Sequence, residues 1–142
     1  MDVTLLPFNR LVGLEKAPIG SGFLLCLPSS PNYLNHLGTV HATAQLALAE
    51  ASSAEFLLQR FGGAAGVAPV VRRLEAKFRK PANGRIFSRA TADESEVAKL
   101  TSDLEAKGRG QVSVSVEIVD ENRVVAMTAV VEWFIAKGKE SA

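Results

Sequence analysis

The chain has 142 residues, which is enough for one domain with a sizeable hydrophobic core. Hydrophobic residues make up 47% of it and charged residues 22%, and a net charge of +1 gives no overall field that would favour a nucleic-acid or membrane partner. The one cysteine, Cys26, excludes an internal disulfide, and no targeting segment is visible, so we expect a cytoplasmic protein with Cys26 as a buried core thiol.

The sequence before residue 39 predicts short elements. Pro7–Leu14 is mixed in composition and fits either a strand or a helical turn. The apolar run from Phe23 to Leu27 predicts a strand and is far too short to span a bilayer. The next five residues, PSSPN, are typical of a loop. We therefore expect two early strands ahead of the first long helix.

A long apolar helix is predicted from about Thr39 to Phe61, where the pair Gly62-Gly63 ends it. Its sequence, TVHATAQLALAEASSAEFLLQRF, leaves almost no polar face. A helix of this kind has to be covered on most of its sides. A flat sheet covers only one side, so we expect a sheet that curls around the helix, or a second copy of the chain that covers the rest.

Strands with one inserted helix are predicted after the long helix. Val67–Lys80 has the composition of a strand, and Pro81–Gly84 forms a turn into a further strand over Arg85–Thr91. Asp93–Lys107 predicts an amphipathic helix that opens with a capping-box pattern.

The clearest local pattern is QVSVSVEIV, residues 111–119, in which every second side chain is apolar. This alternation predicts a half-buried strand. The polar residues 120–122 turn the chain, and Val124–Ala136 is its predicted hairpin partner. The order of elements indicates an α+β fold with an antiparallel sheet, and we expect a single domain over residues 1–142.

Two residues of the long helix carry chemistry. Glu50 is a carboxylate in an apolar stretch, and His41 lies nine residues earlier, near the predicted helix start. Nine residues correspond to about 13 Å along a helix axis and place the two side chains on opposite faces. They cannot meet within one chain, whereas two helices packed antiparallel about a two-fold axis would bring Glu50 of one chain to the His41 end of the other. If the two residues act together, the protein is at least a dimer.

This arrangement resembles the hotdog-fold acyl-CoA thioesterases. The type it resembles carries His-Gly-Gly at the helix start, Asn or Gln six residues before the His, and Asp or Glu nine residues after it. Asn35, His41 and Glu50 stand at those spacings, and KFRKPANG, residues 77–84, is similar to the family's strand-Arg-Pro-Gly turn. The resemblance covers nearly the whole chain. It implies a hotdog fold, with an antiparallel β-sheet wrapped around a long central α-helix, and a homodimer or homotetramer.

The resemblance also implies hydrolysis of a thioester of coenzyme A or of acyl carrier protein, without a cofactor or a metal. Glu50 would act as general base or nucleophile, and the Ala42 N–H would polarise the carbonyl, which suits a helix N-terminus on physical grounds. Asn35 would orient the water or the thioester from the partner subunit. His41 would fix the loop or assist the oxyanion site. A carboxylate in an apolar interface is expected to have a raised pKa.

Three positions depart from the family's pattern. His-Gly-Gly is His41-Ala42-Thr43 in this chain, and Ala68 stands where the family often has Ser or Thr after the helix. Ala42 keeps its backbone N–H. We expect Thr43 and Ala68 to contact the substrate, with the branched side chain of Thr43 narrowing its channel.

A run of basic residues forms the second feature. It comprises Arg72, Arg73, Lys77, Arg79, Lys80, Arg85 and Arg89. Coenzyme A carries a 3′-phosphate and a diphosphate, and Lys80 and Arg85, which flank the turn, are our candidates for binding them. The alternative is that these residues are solvated strand positions that guard against edge pairing.

Other interpretations stay open at this point. Glu50 also fits a solvated helix residue, His41 a structural residue at the helix end, and Asn35 a turn residue. A non-catalytic acyl-CoA or lipid-binding hotdog protein would share the fold, whereas an enoyl-thioester hydratase would need an Asp/His pair arranged differently. The acyl group cannot be predicted; side chains that could line its pocket are Phe56, Leu57, Phe61 and Trp133.

Overall fold

The computed structural model describes residues 1–138, which contain three α-helices and one six-stranded antiparallel sheet. The helices are α1 (Pro7–Val12), α2 (Ala42–Phe61) and α3 (Glu94–Lys107). The strands are β1 (Glu15–Lys16), β2 (Leu25–Leu27), β3 (Val67–Phe78), β4 (Ile86–Ala92), β5 (Arg109–Asp120) and β6 (Val125–Lys137). Their order across the sheet is β1-β2-β4-β5-β6-β3. This is the hotdog α+β fold that the sequence predicted.

The central helix α2 begins later than predicted. His41 has extended backbone angles, φ −60° and ψ 139°, and serves as the cap, so the first helical residue is Ala42. At the other end Gly62 adopts the left-handed conformation, φ 70°, which glycine tolerates best, and the helix ends where predicted. Buried residues such as Leu48, Ala49 and Ser52 lie within the layer between α2 and the sheet.

The hairpin of β5 and β6 confirms the alternating pattern. Val112, Val114, Val116 and Ile118 are all buried in the core. The two strands pair along almost their whole lengths, with an irregularity in the register at Ile118/Val119. These two neighbouring strands of the sheet therefore come from adjacent segments of the chain.

The strands β3 and β4 follow one another in sequence and do not pair. β5 and β6 lie between them, so residues 79–85 cross one end of the sheet. That crossing segment touches the loop before α2, because the Val40 N–H donates to the Ala82 carbonyl at 2.9 Å. Among the strands of residues 1–138, β3 pairs with β6 alone and forms an edge of the sheet.

The ambiguous segment near the N-terminus is helical in the structure. Pro7–Val12 forms α1, and the short strand β1 follows it. The predicted strand over Phe23–Leu27 is shortened to Leu25–Leu27, and Cys26 within it is fully buried. Within residues 1–138, no helix has both the length and the apolar character needed to cross a membrane.

Candidate active site

The loop before α2 is organised by Asn35. Its Oδ1 accepts hydrogen bonds from the N–H groups of Leu37 at 2.9 Å and Thr39 at 3.1 Å, and its Nδ2 donates to Thr39 Oγ1 at 2.9 Å. Asparagine suits such a turn because its side chain imitates a turn of the backbone. These contacts use the acceptor atom of the side chain, and one of the two Nδ2 hydrogens has no partner within residues 1–138.

The first turn of α2 is fixed by His41. Its Nδ1 accepts from the Thr43 N–H at 3.0 Å, and its own N–H donates to the Tyr33 carbonyl at 2.7 Å. Ser, Thr, Asp or Asn usually performs this capping. An imidazole nitrogen can do so only when it carries no proton, so the contact requires the hydrogen to be on Nε2. The exposed ring of His41 thus shapes the helix start.

The backbone N–H of Ala42 is the available donor at this helix start. It has no acceptor within residues 1–138, whereas the adjacent Thr43 N–H is engaged by His41. Unpaired N–H groups and the partial positive charge of a helix N-terminus favour a ligand oxygen there. The side chain of Thr43 is exposed beside it.

Glu50 lies about two and a half turns further along α2 than His41. Its side chain is half-buried, and burial raises the pKa of its carboxyl. Within residues 1–138 no cation pairs with it to offset that burial. A carboxylate in such surroundings holds its proton more tightly and is a stronger base than an exposed acid.

Glu50 borders an apolar cavity of about 410 Å³. The cavity is lined by α2 and the loop after it, by the N-terminal segment, by α3, by the start of β3 and by the end of β6. Three of the four candidate pocket residues, Leu57, Phe61 and Trp133, do line it, and Phe56 does not. The volume lies within the range of small-molecule sites.

The candidate catalytic residues fall into two groups. Asn35, His41 and Ala42 lie together at one end of α2, held by the small hairpin that pairs Leu34 with Val40. Glu50 is about 13 Å further along the axis and on the opposite face of the helix. One chain does not bring the two groups together, so any site that uses both has to combine two chains.

The two basic candidates differ in their surroundings. The Lys80 side chain is exposed and has no acidic partner within residues 1–138. The guanidinium of Arg85 is only half-exposed: its Nη2 lies 3.3 Å from Cys26 Sγ and 3.8 Å from Glu15 Oε2, and it stacks over the Phe87 ring. The Lys80 side chain is therefore the more available of the two cations for binding a ligand. The Arg85 side chain is already engaged by residues of β1, β2 and β4.

Ala68 lies on β3 and is exposed. Its neighbours Val67 and Pro69 both line the cavity, and Ala68 does not. Alternation along a strand accounts for this, because successive side chains point to opposite faces.

Comparison with known proteins assigns the family. The family described as a domain of unknown function, DUF4442, matches residues 6–135. The chain belongs to this family. No curated protein matches the DUF4442 chain.

Solved structures support the fold of this DUF4442 chain. A Pseudomonas aeruginosa protein described as a probable thioesterase is 23% identical, with a TM-score of 0.79 over 96% of this chain and 91% of that one. A Haemophilus influenzae thioesterase is 17% identical, with a TM-score of 0.71 over 95% and 86%. A Bacillus halodurans protein crystallised with CoA is 16% identical, with a TM-score of 0.68 over 90% and 74%. At these identities the likeness establishes the hotdog fold.

Sequence analysis missed a second carboxylate in α2 of this DUF4442 chain. Glu55 is 5% exposed, deeper than Glu50, and its Oε1 accepts from Lys16 Nζ at 2.6 Å and from Gln59 Nε2 at 2.9 Å. This ion pair satisfies Glu55 and keeps it out of the cavity lining. The pairing joins residues 39 apart in sequence, so no local pattern could have predicted it.

Proposed function

We propose that this DUF4442 protein hydrolyses acyl thioesters of coenzyme A in a composite site formed by two chains. The observation that carries the proposal is the half-buried carboxylate of Glu50, which has a raised pKa and borders an apolar cavity. An acid in that position combines a base of useful strength with a place for an acyl group.

In the proposed reaction, ionised Glu50 takes a proton from water as the oxygen attacks the thioester carbonyl carbon. The carbonyl oxygen becomes an oxyanion, which accepts a hydrogen bond from the Ala42 N–H of the other chain. Collapse of the tetrahedral species breaks the carbon–sulfur bond, and protonated Glu50 returns its proton to the leaving thiolate. The products are a carboxylic acid and the free thiol, and the enzyme is regenerated.

Direct attack by Glu50 on the carbonyl carbon is the other route compatible with this position. The carbon–sulfur bond would break to release the thiolate, leaving a mixed anhydride between Glu50 and the acyl group, which water then hydrolyses to the carboxylic acid and free Glu50. Single turnover in ¹⁸O-water distinguishes the two routes, because only the anhydride route can place solvent oxygen in the Glu50 carboxylate.

The exposed edge of the sheet supports a two-chain site. Within residues 1–138, β3 is a 12-residue strand with no partner on its outer side, and its apolar side chains Val70, Val71 and Phe78 are exposed. The unpaired N–H and C=O groups of such an edge can pair with another chain. A two-fold dimer through this edge would place two α2 helices on one side of a continuous sheet and generate two equivalent sites.

We assign supporting roles to the helix-start residues. Asn35 would offer its remaining Nδ2 hydrogen to the water or the thioester, and His41 would hold the Ala42 N–H in place through its cap. Lys80 is our candidate for the coenzyme A phosphates, because the segment after it contacts the loop before α2 through Ala82. The CoA in the Bacillus halodurans neighbour supports this choice of thiol carrier.

A non-catalytic acyl-CoA or lipid-binding protein is the second candidate. The observation that favours it is the use of Asn35 Oδ1, which already accepts two backbone hydrogen bonds and is not available to orient a water. Such a protein would bind acyl-CoA through the same cavity without turnover.

The test is thiol release from acyl-CoAs of short, medium and long chains and with aromatic groups, for the wild type beside Glu50→Gln. We expect turnover in the wild type and a loss of at least about a hundredfold in the variant. Glu96→Gln, at an exposed position of α3, is the matched control and should retain full activity. Binding of acyl-CoA without thiol release would favour the second candidate.

A further inference from the structure

We propose that the cavity beside Glu50 is the acyl pocket and that it selects unsubstituted acyl chains of medium length. This inference rests on the proposed function and names the substrate class of that site. It is carried by the way the cavity follows α2 away from Glu50, and by the mostly apolar side chains along its described walls.

One stripe of α2 forms the long wall of the cavity. Glu50, Ala54, Leu57 and Phe61 all line it, at the spacing that places side chains on one helix face. The eleven residues from Glu50 to Phe61 span about 16 Å of helix axis. An acyl chain whose thioester carbonyl lies at Glu50 would therefore run along about three turns of α2 towards Phe61.

The length of this stripe of α2 limits the length of the acyl chain that the cavity can hold. With carbon–carbon bonds of about 1.5 Å and angles near 111°, an extended hydrocarbon advances about 1.25 Å per carbon. A stripe of about 16 Å thus corresponds to roughly a dozen carbons at most. Phe61, Leu104 and Ile135 are among the side chains that line the cavity beyond this stretch of α2.

The walls offer little to a polar substituent. Within the described residues, two polar side chains line the cavity besides Glu50: Asn9 Nδ2 donates to the Val3 carbonyl at 2.9 Å, and Trp133 Nε1 donates to Ser53 Oγ at 2.8 Å. A hydroxyl or a charge on the part of the acyl chain away from Asn9 would lose its water without gaining a side-chain partner, which disfavours such substrates.

The N-terminal segment forms another wall of the pocket. Met1, Val3 and Leu6 line the cavity, and Val3 is 1% exposed. Lys16 holds this segment to α2, since its Nζ lies 2.6 Å from Glu55 Oε1 and 3.9 Å from Asp2 Oδ1. The width of the pocket therefore depends on a segment that packs on α2 from outside the sheet.

The first experiment measures kcat/KM for a series of straight-chain acyl-CoAs. Each added methylene should raise it about fourfold, equivalent to about 0.8 kcal/mol, until the cavity is full. Beyond about a dozen carbons it should stop rising. A 3-hydroxy group on a medium chain should lower it. A profile that is flat with length, or that prefers hydroxylated chains, would overturn the proposal.

The second experiment changes the cavity itself. Ala54→Phe fills it one turn from Glu50 and should lower the ratio of decanoyl to butyryl turnover by about tenfold or more. Phe61→Ala opens the far end and should move the optimum to longer chains. Phe8→Ala is the matched control, because Phe8 is 61% exposed and does not line the cavity. It should leave the profile unchanged.

Calorimetric measurement of decanoyl-CoA binding distinguishes the proposed acyl pocket from the proposed thioester hydrolysis. Thiol release that is indifferent to Ala54→Phe would refute the pocket and leave the thioesterase standing. Binding that Ala54→Phe weakens, with no thiol release by the wild type, would refute hydrolysis and leave the pocket standing. Neither binding nor release would refute both.

Discussion

At the scale of single residues, Glu50 combines a carboxyl group with surroundings that disfavour its charge. Burial is the cause of its raised pKa, and the closest acid along the helix, Glu55, has instead paired with Lys16. The two carboxylates of α2 thus differ in their burial and in whether a cation pairs with them. One is deeply buried and neutralised by a cation, and the other is half-buried and faces a cavity. Only the second is available for proton transfer.

The raised pKa of Glu50 predicts how the rate of thioester hydrolysis depends on pH. A general base must be ionised, so kcat/KM should rise with pH through the raised pKa of Glu50 and then level off. The measurement is a pH profile of thiol release with a medium-chain acyl-CoA. Glu50→Asp keeps a carboxyl group in a different position, so it should shift the midpoint while Glu96→Gln leaves it unchanged. A profile that falls with pH in this range would contradict the role of Glu50 as base.

The same burial predicts a change in stability. Because the pKa of Glu50 is raised in the folded state, the folded protein favours the protonated form of this carboxyl. The stability that protonated Glu50 contributes is lost as the pH rises through that pKa. Glu50→Gln removes this penalty and should therefore be more stable than the wild type at neutral pH, with a difference that shrinks in acid. Urea unfolding of both proteins across pH measures it. An equal difference at every pH would show that ionisation is not the cause.

At the scale of elements, the start of α2 is held by a single imidazole cap. His41→Ala removes the acceptor for the Thr43 N–H and should cost about 1 kcal/mol of stability. His41→Asn supplies another capping oxygen and should restore most of it. Urea unfolding and kcat/KM are measured together. Activity that follows stability in both variants indicates a positioning role, and loss of activity in a stable Asn variant indicates direct contact with the substrate.

The edge strand β3 leads to a prediction about assembly. Val70 is 52% exposed on this edge, and a lysine there would bring a charge into the interface we propose. Val70→Lys should shift the protein from dimer to monomer and lower activity in parallel. Sedimentation velocity measures the first effect. Ile19→Lys, at a fully exposed loop position away from β3, is the control and should change neither. A Val70→Lys protein that stays dimeric would place the interface elsewhere.

At the scale of the whole molecule, the proposed site needs two chains, and this can be tested by complementation. Glu50→Gln and Asn35→Ala are each expected to be inactive. In a mixed dimer, one site would combine Glu50 from one chain with Asn35 from the other and would be intact. Random mixing makes half of the dimers mixed, each with one good site, so about one quarter of wild-type activity should return. Glu50→Gln mixed with the double variant is the control and should recover none.

Much of the fold could be predicted from the sequence, because its elements carry local signals. The alternation in residues 111–119 and the left-handed glycine at the end of α2 depend only on neighbours in sequence, and both predictions are confirmed. The start of α2 was predicted a few residues too early, since an apolar pattern does not reveal that the His41 backbone is extended.

The candidate site could be predicted only in part, because its contacts join distant segments. Residue type and position in the apolar helix singled out His41 and Glu50, and the resemblance to the hotdog thioesterases added Asn35. The cavity could not be predicted, since it is enclosed by the N-terminus, α2, α3 and two strands together. The hydrogen bond from Arg85 to Cys26 Sγ could not be predicted either, because the two residues are 59 apart in sequence. Such features depend on how elements pack, and no short pattern encodes that.

The position of β3 has a consequence for synthesis of the chain on the ribosome. Its sole partner within the sheet, β6, follows only after β4, α3 and β5 have been made. Until then β3 is an unpaired strand with exposed valines, which is the kind of segment that aggregates during folding. Arg72, Arg73 and Lys77 interrupt its apolar residues with charges. We expect these basic residues to oppose aggregation of the nascent chain until β6 has been made.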